Sequence, residues 1–222
     1  MDPTGFFFCT QAGKLLAEQV MKFDFTQPVV LALPRGGVPV AVEVARALKA
    51  PLDLLLVRKI GVPAQPELAA AAIVDGEHPD LVLNSEVMAM AGLHRHDIEP
   101  DAAKALAEIE RRRKLYLQNR APVRIAGRTA IVVDDGIATG TTVKAALQAL
   151  RRRHPKKLVL AVPVAPPDTI RELADHVDQI ICLQQPELFG AIGVFYDDFH
   201  QVSDEEVIKL MAQAETFSQN GA

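Results

Sequence analysis

The sequence predicts an α/β fold with a doubly wound, mainly parallel sheet that is flanked by helices. Apolar segments of strand length, at residues 29–33 and 129–133 among others, alternate with segments in which apolar residues recur at helical spacing. Such alternation is typical of parallel strands joined by right-handed crossover helices. With 222 residues, of which 49% are hydrophobic and 23% charged, the chain is long enough to bury a substantial core.

Helices and strands alternate along most of the chain. Helical spacing of apolar residues predicts helices at residues 13–21, 38–48, 97–117, 141–150 and near 169–174. A capping-box pattern from Ser203 to Glu206 predicts the start of a last helix. Buried strands are predicted at residues 29–33, 52–57, 129–133, 158–162 and 179–183. Two independent domains would be cramped in this length, so we expect a single domain over residues 1–222 with its core at about 28–184.

Two segments depart from this alternation. Residues 69–74 and 81–83 flank a turn that contains Gly76 and Pro79, which predicts a hairpin at an edge of the fold. Residues 58–63 lead into a polar, proline-containing stretch near Glu67, which predicts a mobile loop.

The charge of the chain gives no general attraction to nucleic acid. The formal net charge is −4, and basic side chains are concentrated in two short runs at residues 111–114 and 151–153. Both runs close predicted helices, where cations complement the helix dipole. We interpret them as solvated helix faces, with RNA binding as the alternative, and do not expect a nucleic-acid partner.

Membrane and metal chemistry find little support in the sequence. No apolar run reaches the roughly 18 residues that span a membrane, and the aromatic cluster at residues 6–8 lacks the basic flank of a signal peptide. We therefore expect a cytoplasmic protein without a membrane partner. Cys9 and Cys182 are distant in sequence and lack metal-ligand spacing, which favours reduced packing residues.

The most informative stretch of the chain is residues 132–142. Asp134 and Asp135 follow a buried strand, where two carboxylates need ribose hydroxyls, a cation or solvent as partners. The next seven residues are small or hydroxyl-bearing for the most part and begin a helix, whose free amides favour a phosphate monoester. They are Gly136, Ile137, Ala138, Thr139, Gly140, Thr141 and Thr142. The alternative for such a turn is that Asp135 or Thr139 caps the helix and the glycines only permit the turn.

This stretch resembles the phosphoribosyl pyrophosphate signature of type I phosphoribosyltransferases. Residues 31–39 are similar to that family's pyrophosphate-binding loop, in which Gly36 and Gly37 would expose backbone donors and Arg35 would add positive charge. Arg58 and Lys59 are similar in position to basic residues that precede the family's flexible catalytic loop. The predicted hairpin at residues 69–83 resembles the loop that folds over bound substrate.

The resemblance implies transfer of a 5-phosphoribosyl group from phosphoribosyl pyrophosphate to a nitrogenous base, with release of pyrophosphate. Asp134, Asp135 and Lys59 would be the catalytic residues. Mg²⁺ would be bound mainly through the substrate diphosphate and would contact Asp134 or Asp135 directly or through water. We also expect a homodimer.

The resemblance further implies a small hood over the acceptor base and a flexible hairpin loop. Residues 185–200, together with the N-terminal segment, are the predicted hood, and its aromatic side chains could stack a ring or belong to the core. His200 is a candidate for acceptor binding. Ala138 stands where members of the family that act on 6-oxopurines usually carry an acidic residue, so guanine and hypoxanthine are disfavoured as acceptors.

Two other functions stay open on the sequence alone. Some members of the family use this fold as non-catalytic sensors of phosphoribosyl pyrophosphate or nucleotides that regulate gene expression, and Asp134 and Asp135 would suit both roles. A phosphoribosyl-binding hydrolase is the third possibility, and release of free ribose 5-phosphate would identify it.

Overall fold

The computed structural model describes residues 5–6, 8–63, 65–76, 78–118 and 120–219, and these residues form two sheets and a set of helices. The strands of the described residues are β1 (Val29–Ala32), β2 (Leu52–Leu54), β3 (Val57–Val62), β4 (Gln65–Val74), β5 (Asp80–Leu83), β6 (Thr129–Val133), β7 (Lys157–Val164) and β8 (Gln179–Gln184). The α-helices are α1 (Cys9–Val20), α2 (Gly37–Leu48), α3 (Ser85–Met90), α4 (Arg95–Leu117), α5 (Thr141–Arg152), α6 (Pro167–Ala174) and α7 (Asp204–Gln219). A 3-10 helix lies at Ile192–Phe195.

The larger sheet is parallel throughout, in the strand order β2-β1-β6-β7-β8. Successive side chains of a strand point to opposite faces, so Val30 and Ala32 pack with α1, α2 and α7, whereas Val29 and Leu31 pack with α5. Both faces of the sheet are therefore covered, and the predicted doubly wound α/β fold is confirmed.

The smaller sheet is antiparallel, in the order β3-β4-β5. The pairing of Val74 with Asp80 confirms the predicted hairpin, although Glu77 of its turn lies outside the described residues. The prediction of a mobile loop at residues 58–63 is wrong, because these residues form most of β3, which pairs with β4. Ile60 and Val62 are buried in this strand, and their alternation with polar neighbours is a strand signal that Pro63 obscured.

Smaller differences concern the ends of elements. The described α1 begins at Cys9, and α3 has no counterpart among the predicted helices. The capping box before α7 is confirmed: the Ser203 N–H donates to Glu206 Oε2 at 2.7 Å, and the Glu206 N–H donates to Ser203 Oγ at 3.1 Å. Within the described residues, no helix combines the length and apolarity needed to cross a membrane.

The basic run at residues 111–114 is not the uniformly solvated face that we predicted. The Arg113 guanidinium lies between the carboxylates of Asp53 and Asp75, and the side chain is only 15% exposed. Helical geometry explains this position, because Arg113 lies on the same face of α4 as the buried Ile109 and Tyr116, four residues before it and three after.

Candidate active site

The glycine-containing loop after β1 and the acidic turn after β6 meet at the carboxyl edge of the parallel sheet. The Leu33 N–H donates to the Val133 carbonyl at 2.9 Å, which extends the pairing of β1 with β6 beyond the last residue of β1. We call residues 34–37 the glycine loop and residues 134–142 the diacid turn. The Pro34–Arg35 peptide bond of the glycine loop is cis.

Two glycines allow the glycine loop and the diacid turn to touch. A Cβ atom at Gly36 would lie 1.9 Å from Asp135 Oδ2, and one at Gly37 would lie 2.9 Å from the Asp134 Cα. The carbonyl oxygen of Val133 would be 2.8 Å from the same Gly37 Cβ. Any other residue at either position would push the two segments apart, so the contact requires glycine.

Asp134 and Asp135 form a like-charged pair, in which Asp135 is buried and Asp134 is half-buried. Burial and the neighbouring charge of Asp135 raise the pKa of Asp134 well above its usual range, and burial also raises the pKa of Asp135. The Asp135 N–H donates to Asp134 Oδ1 at 2.9 Å, which offsets only part of this cost. Two carboxylates held so close together favour a ligand that supplies hydroxyl donors or positive charge.

The rest of the diacid turn is held by contacts with β7 and α6. The Ile137 N–H donates to the Val164 carbonyl at 2.9 Å, and Thr169 Oγ1 donates to the Ala138 carbonyl at 2.7 Å. Gly140 precedes α5 with a φ of 71°, a left-handed conformation that favours glycine. These anchors fix the shape of the turn before any ligand binds.

Backbone amides of the diacid turn face an open surface. Among the described residues, no backbone or side-chain acceptor is found for the amides of residues 138–142. Ala138, Thr139 and Thr141 are exposed, and Thr142 is half-buried. Free amides at the start of a helix, combined with threonine hydroxyls, form a typical anion-binding arrangement.

The predicted hood segment contacts the diacid turn directly. The Tyr196 hydroxyl donates a short hydrogen bond to the Asp135 carbonyl, and the Tyr196 ring lies 5.4 Å from the Phe6 ring. Ile192 packs against Gly136, where a Cβ atom would lie 2.9 Å from Ile192 Cγ2. Tyr196 is 5% exposed and belongs to the core, the second of the two roles that the sequence left open for these aromatics. Phe7, within the predicted aromatic cluster, lies outside the described residues.

The three basic residues predicted for the site have different surroundings. Arg35 is exposed, and its Nη1 atom lies 3.5 Å from Asp204 Oδ1 at the start of α7. Arg58 Nη1 lies 4.0 Å from Glu108 Oε1 on α4. Lys59 is exposed and lines a cavity of about 420 Å³ together with Thr141, at the start of α5. Lys59 therefore shares a cavity with the diacid turn.

A second cavity, of about 300 Å³, lies between the hood segment, α1 and α7. Its lining includes Cys9, Pro39 and His200. Burial and the charge of Asp135 raise the pKa of the Cys9 thiol to about 11. His200 Nε2 lies 3.0 Å from Glu206 Oε1. The sequence marked His200 but gave no indication of the cavity itself.

The residues at the site suit a magnesium ion that arrives with its substrate. Within the described part of the chain, no cluster of three or more histidine, cysteine or acidic side chains could enclose a metal. The Asp134 and Asp135 carboxylates, with their raised pKa values, can accept one divalent cation or its bound waters.

A doubly wound sheet with an acidic pair and free helix-start amides at its carboxyl edge is suited to a ligand that carries both hydroxyl and phosphate groups. Residues 8–200 match the family model described as "Phosphoribosyl transferase domain". The chain belongs to the phosphoribosyl transferase domain family.

Relatives of known sequence or structure agree with this assignment. Two proteins of Mycobacterium tuberculosis, from strains CDC 1551 / Oshkosh and ATCC 25618 / H37Rv, are named "Putative phosphoribosyl transferase" and are 45% identical over 212 residues. The match covers 95% of this chain and 47% of each relative, so the chain spans about half the length of the curated relatives it matches. The crystal structure of TT1426 from Thermus thermophilus is 38% identical, with a TM-score of 0.83 over 94% of this chain and 98% of that one.

Proposed function

We propose that the protein transfers the 5-phosphoribosyl group of phosphoribosyl pyrophosphate to a nitrogenous base and releases pyrophosphate. One observation carries the proposal: the backbone of Gly36 and Gly37 touches the pair Asp134 and Asp135 at the carboxyl edge of the sheet. That contact brings a glycine loop suited to a diphosphate beside carboxylates suited to ribose hydroxyls.

The substrate would extend across the two segments in three parts. Its diphosphate would bind the backbone of the glycine loop, its ribose hydroxyls would bind Asp134 and Asp135, and its 5-phosphate would bind the amides of residues 138–142. The amides of residues 138–142 are free donors along an exposed turn, which supports their assignment to the 5-phosphate. Lys59 lines the cavity next to Thr141, where its ammonium group would add charge near the phosphate end.

Catalysis would depend on the leaving group and on exclusion of water. Displacement at the anomeric carbon passes through a cation-like sugar, so the protein needs no nucleophile of its own. Magnesium bound to the diphosphate would neutralise the departing pyrophosphate when present. Asp134 and Asp135 would orient the ribose, and Arg35 could reach the diphosphate if it released Asp204, a contact of only 3.5 Å between exposed groups.

We infer that the acceptor base is bound in the cavity of about 300 Å³ between the hood segment, α1 and α7. Its lining includes Pro39, two residues after Gly37 of the glycine loop, and Cys9, whose thiol pKa is raised in part by the charge of Asp135. His200 offers a ring nitrogen to the base, with Glu206 as its partner. Ala138 supplies no carboxylate, so the acceptor would be a base other than guanine or hypoxanthine.

A screen of nucleobases with phosphoribosyl pyrophosphate and Mg²⁺, followed by pyrophosphate release, tests the reaction. Binding is tested by calorimetry with the double variant Asp134→Asn and Asp135→Asn, which we expect to lose phosphoribosyl pyrophosphate affinity while circular dichroism stays unchanged. The matched control is Asp101→Asn with Asp168→Asn, since both carboxylates are at least half exposed and pair with Lys104 and Arg171 on their own helices. Undiminished binding by the first variant would contradict the proposal.

The same screen separates an enzyme from a sensor. Tight binding of phosphoribosyl pyrophosphate without pyrophosphate release from any base would favour the sensor. The first basic run offers little for RNA, because Arg111 and Arg112 are engaged by Glu108 and Arg113 is engaged by two aspartates. Use of magnesium and assembly as a homodimer stay predictions.

A further inference from the structure

A third cavity, of about 580 Å³, lies at the end of α5 that is farthest from the diacid turn. Helix α5 extends from Thr141 to Arg152, and a rise of 1.5 Å per residue separates these ends by about 16 Å. The cavity is bounded by the edge strand β2, the turn between β4 and β5, the end of α5 and residues 122–126. We call it the arginine cavity, after Arg113, Arg124, Arg152 and Arg153 in its lining.

One of these arginines is already neutralised within the fold. Arg113 Nη1 lies 2.5 Å from Asp75 Oδ2, and Arg113 Nη2 lies 3.3 Å from Asp53 Oδ2. Asp53 also accepts the backbone N–H groups of Leu54 and Val123, each at 2.8 Å. Arg113 therefore has a structural role, and its charge is not available to a ligand.

The other three arginines outnumber the acidic side chains that pair with them. Arg152 Nη1 and Arg153 Nε lie 3.7 Å and 3.9 Å from the two oxygens of a single carboxylate, that of Asp80. The exposed Arg124 guanidinium has no acidic partner within the described residues. Burial lowers the pKa of Arg153, and the charges of Arg113 and Arg152 lower it further against the opposing pull of Asp80 and Asp75. Counted over the described residues, this side of the cavity thus has an excess of positive charge.

The floor of the arginine cavity is apolar. Leu55, Ile125 and Leu150 line it, and all three side chains are almost completely buried. A volume of this size lies in the range of small-molecule sites, which combine an apolar lining with a few charged groups that fix the ligand. Guanidinium groups bind phosphate oxygens in pairs, which explains why arginine recurs in phosphate recognition.

We propose that the arginine cavity binds a small organic phosphate, with the phosphate held by Arg124, Arg152 and Arg153 and the apolar part lying on the floor. Arg153 is held in place for this role, because it donates a hydrogen bond to the Asp75 carbonyl in the turn between β4 and β5. The site is separate from the diacid turn and does not depend on the proposed transferase activity.

Calorimetry tests this site in a chain that also carries Asp134→Asn and Asp135→Asn, which removes the proposed ribose contacts but keeps the amides of residues 138–142. Phosphate bound by those amides is recognised because Arg124→Ala with Arg152→Ala does not weaken it. The probes are adenosine monophosphate, uridine monophosphate, ribose 5-phosphate and inorganic phosphate. We expect one arginine-dependent site that prefers an organic phosphate over inorganic phosphate. Arg124→Ala with Arg152→Ala should weaken that binding at least about tenfold, because the phosphate loses charge-assisted hydrogen bonds from two guanidinium groups.

The matched control removes two exposed arginines elsewhere, Arg95→Ala with Arg171→Ala, and should leave the affinity unchanged. Absence of binding by every probe would overturn the proposal, as would binding that Arg124→Ala with Arg152→Ala does not weaken. Equal affinity for inorganic phosphate and for the esters would overturn the assignment of an organic ligand. Pyrophosphate release by the unmodified chain is scored separately, so failure of this site leaves the transferase proposal untouched.

Discussion

The backbone of Gly36 lies against the carboxylate of Asp135, at a distance that leaves no space for even one additional carbon atom: a Cβ at residue 36 would be 1.9 Å from Oδ2. The clash could be relieved only if the Asp135 carboxylate moved, and this carboxylate is proposed to hold ribose. Geometry at Asp135 thus depends on the absence of a side chain on the neighbouring loop.

Gly36→Ala should therefore impair substrate binding and turnover far more than it impairs folding. A displacement of about 1 Å at a reacting group can cost about 100-fold in rate, and we expect a loss of that order in kcat/KM for pyrophosphate release. The control is Gly190→Ala in the hood segment, where a Cβ would have no heavy atom within 4 Å. An unchanged affinity of Gly36→Ala for phosphoribosyl pyrophosphate would contradict the proposed site.

Removing one carboxylate of the diacid pair should stabilise the ligand-free protein. The pKa values of Asp134 and Asp135 are raised on folding, so the folded state binds protons more tightly than the unfolded state. Stability is then lost as the pH rises above the unfolded pKa, and the loss is complete only above the raised folded values. Asp134→Asn removes the repulsion, so its Tm should exceed that of the unmodified protein at pH 8 and approach it at pH 4.

Scanning calorimetry without ligand measures the effect of Asp134→Asn. A gain of 1 kcal/mol corresponds to about 2–4 °C in a chain of this size. Asp101→Asn, at an exposed carboxylate paired with Lys104, should give no gain at pH 8. A lower stability of Asp134→Asn than of the unmodified protein at pH 8 would contradict this prediction. It would mean that the two carboxylates do not destabilise the ligand-free protein.

The diacid turn could be predicted from sequence because its signal is local. A buried strand, two carboxylates, glycines and threonines follow one another within residues 129–142, and strand ends of a parallel sheet meet at one edge. Gly36 and Gly37 could be predicted at the same edge, since they follow the neighbouring strand β1. Order along the chain was enough to predict these contacts.

Contacts between distant segments left no such local signal. The hydrogen bond from Tyr196 to Asp135 joins residues 61 positions apart, and composition marked Tyr196 only as an aromatic of the hood. Arg113 looked like part of a solvated basic run, although its spacing from Ile109 assigns it to the buried face of α4. Its aspartate partners come from β2 and from the turn after β4, which no pattern within the helix could have revealed.

Tyr196→Phe should destabilise the protein and weaken substrate binding together. The change removes the donor to the Asp135 carbonyl in a buried setting, and an unsatisfied buried acceptor costs about 1–3 kcal/mol. Denaturant unfolding measures the stability, and calorimetry with phosphoribosyl pyrophosphate measures the binding.

The chain contains only two tyrosines, so Tyr116→Phe is a matched control. The Tyr116 hydroxyl donates to Asp204 Oδ1 at 2.6 Å, and the Asp204 side chain is 39% exposed, so water can replace the lost donor. We expect Tyr116→Phe to be less destabilising and to leave substrate affinity unchanged. A Tyr196→Phe variant with normal affinity would mean that the hood segment does not position Asp135.

Arg113→Met should be among the most destabilising single changes in the protein. It leaves Asp53 and Asp75 buried without their cation, and breaking a buried ion pair in this way costs about 3–5 kcal/mol. Burial already raises the pKa of Asp75 although Arg113 opposes that rise, so loss of Arg113 should raise the pKa further. Ionisation of Asp75 then costs more as the pH increases, and the destabilisation should be larger at pH 8 than at pH 5.

Urea unfolding at pH 5 and pH 8 measures this difference. The control is Arg112→Met, because Arg112 pairs with Glu108 in a more exposed setting. This substitution should cost about 1 kcal/mol or less. Adding Asp53→Asn and Asp75→Asn to Arg113→Met removes the stranded charges and should recover part of the lost stability. If the triple variant were no more stable than Arg113→Met alone at pH 8, packing by the arginine stem, and not its charge, would explain the effect. A loss in Arg113→Met that is equal at both pH values would lead to the same conclusion, because packing by the arginine stem does not depend on pH.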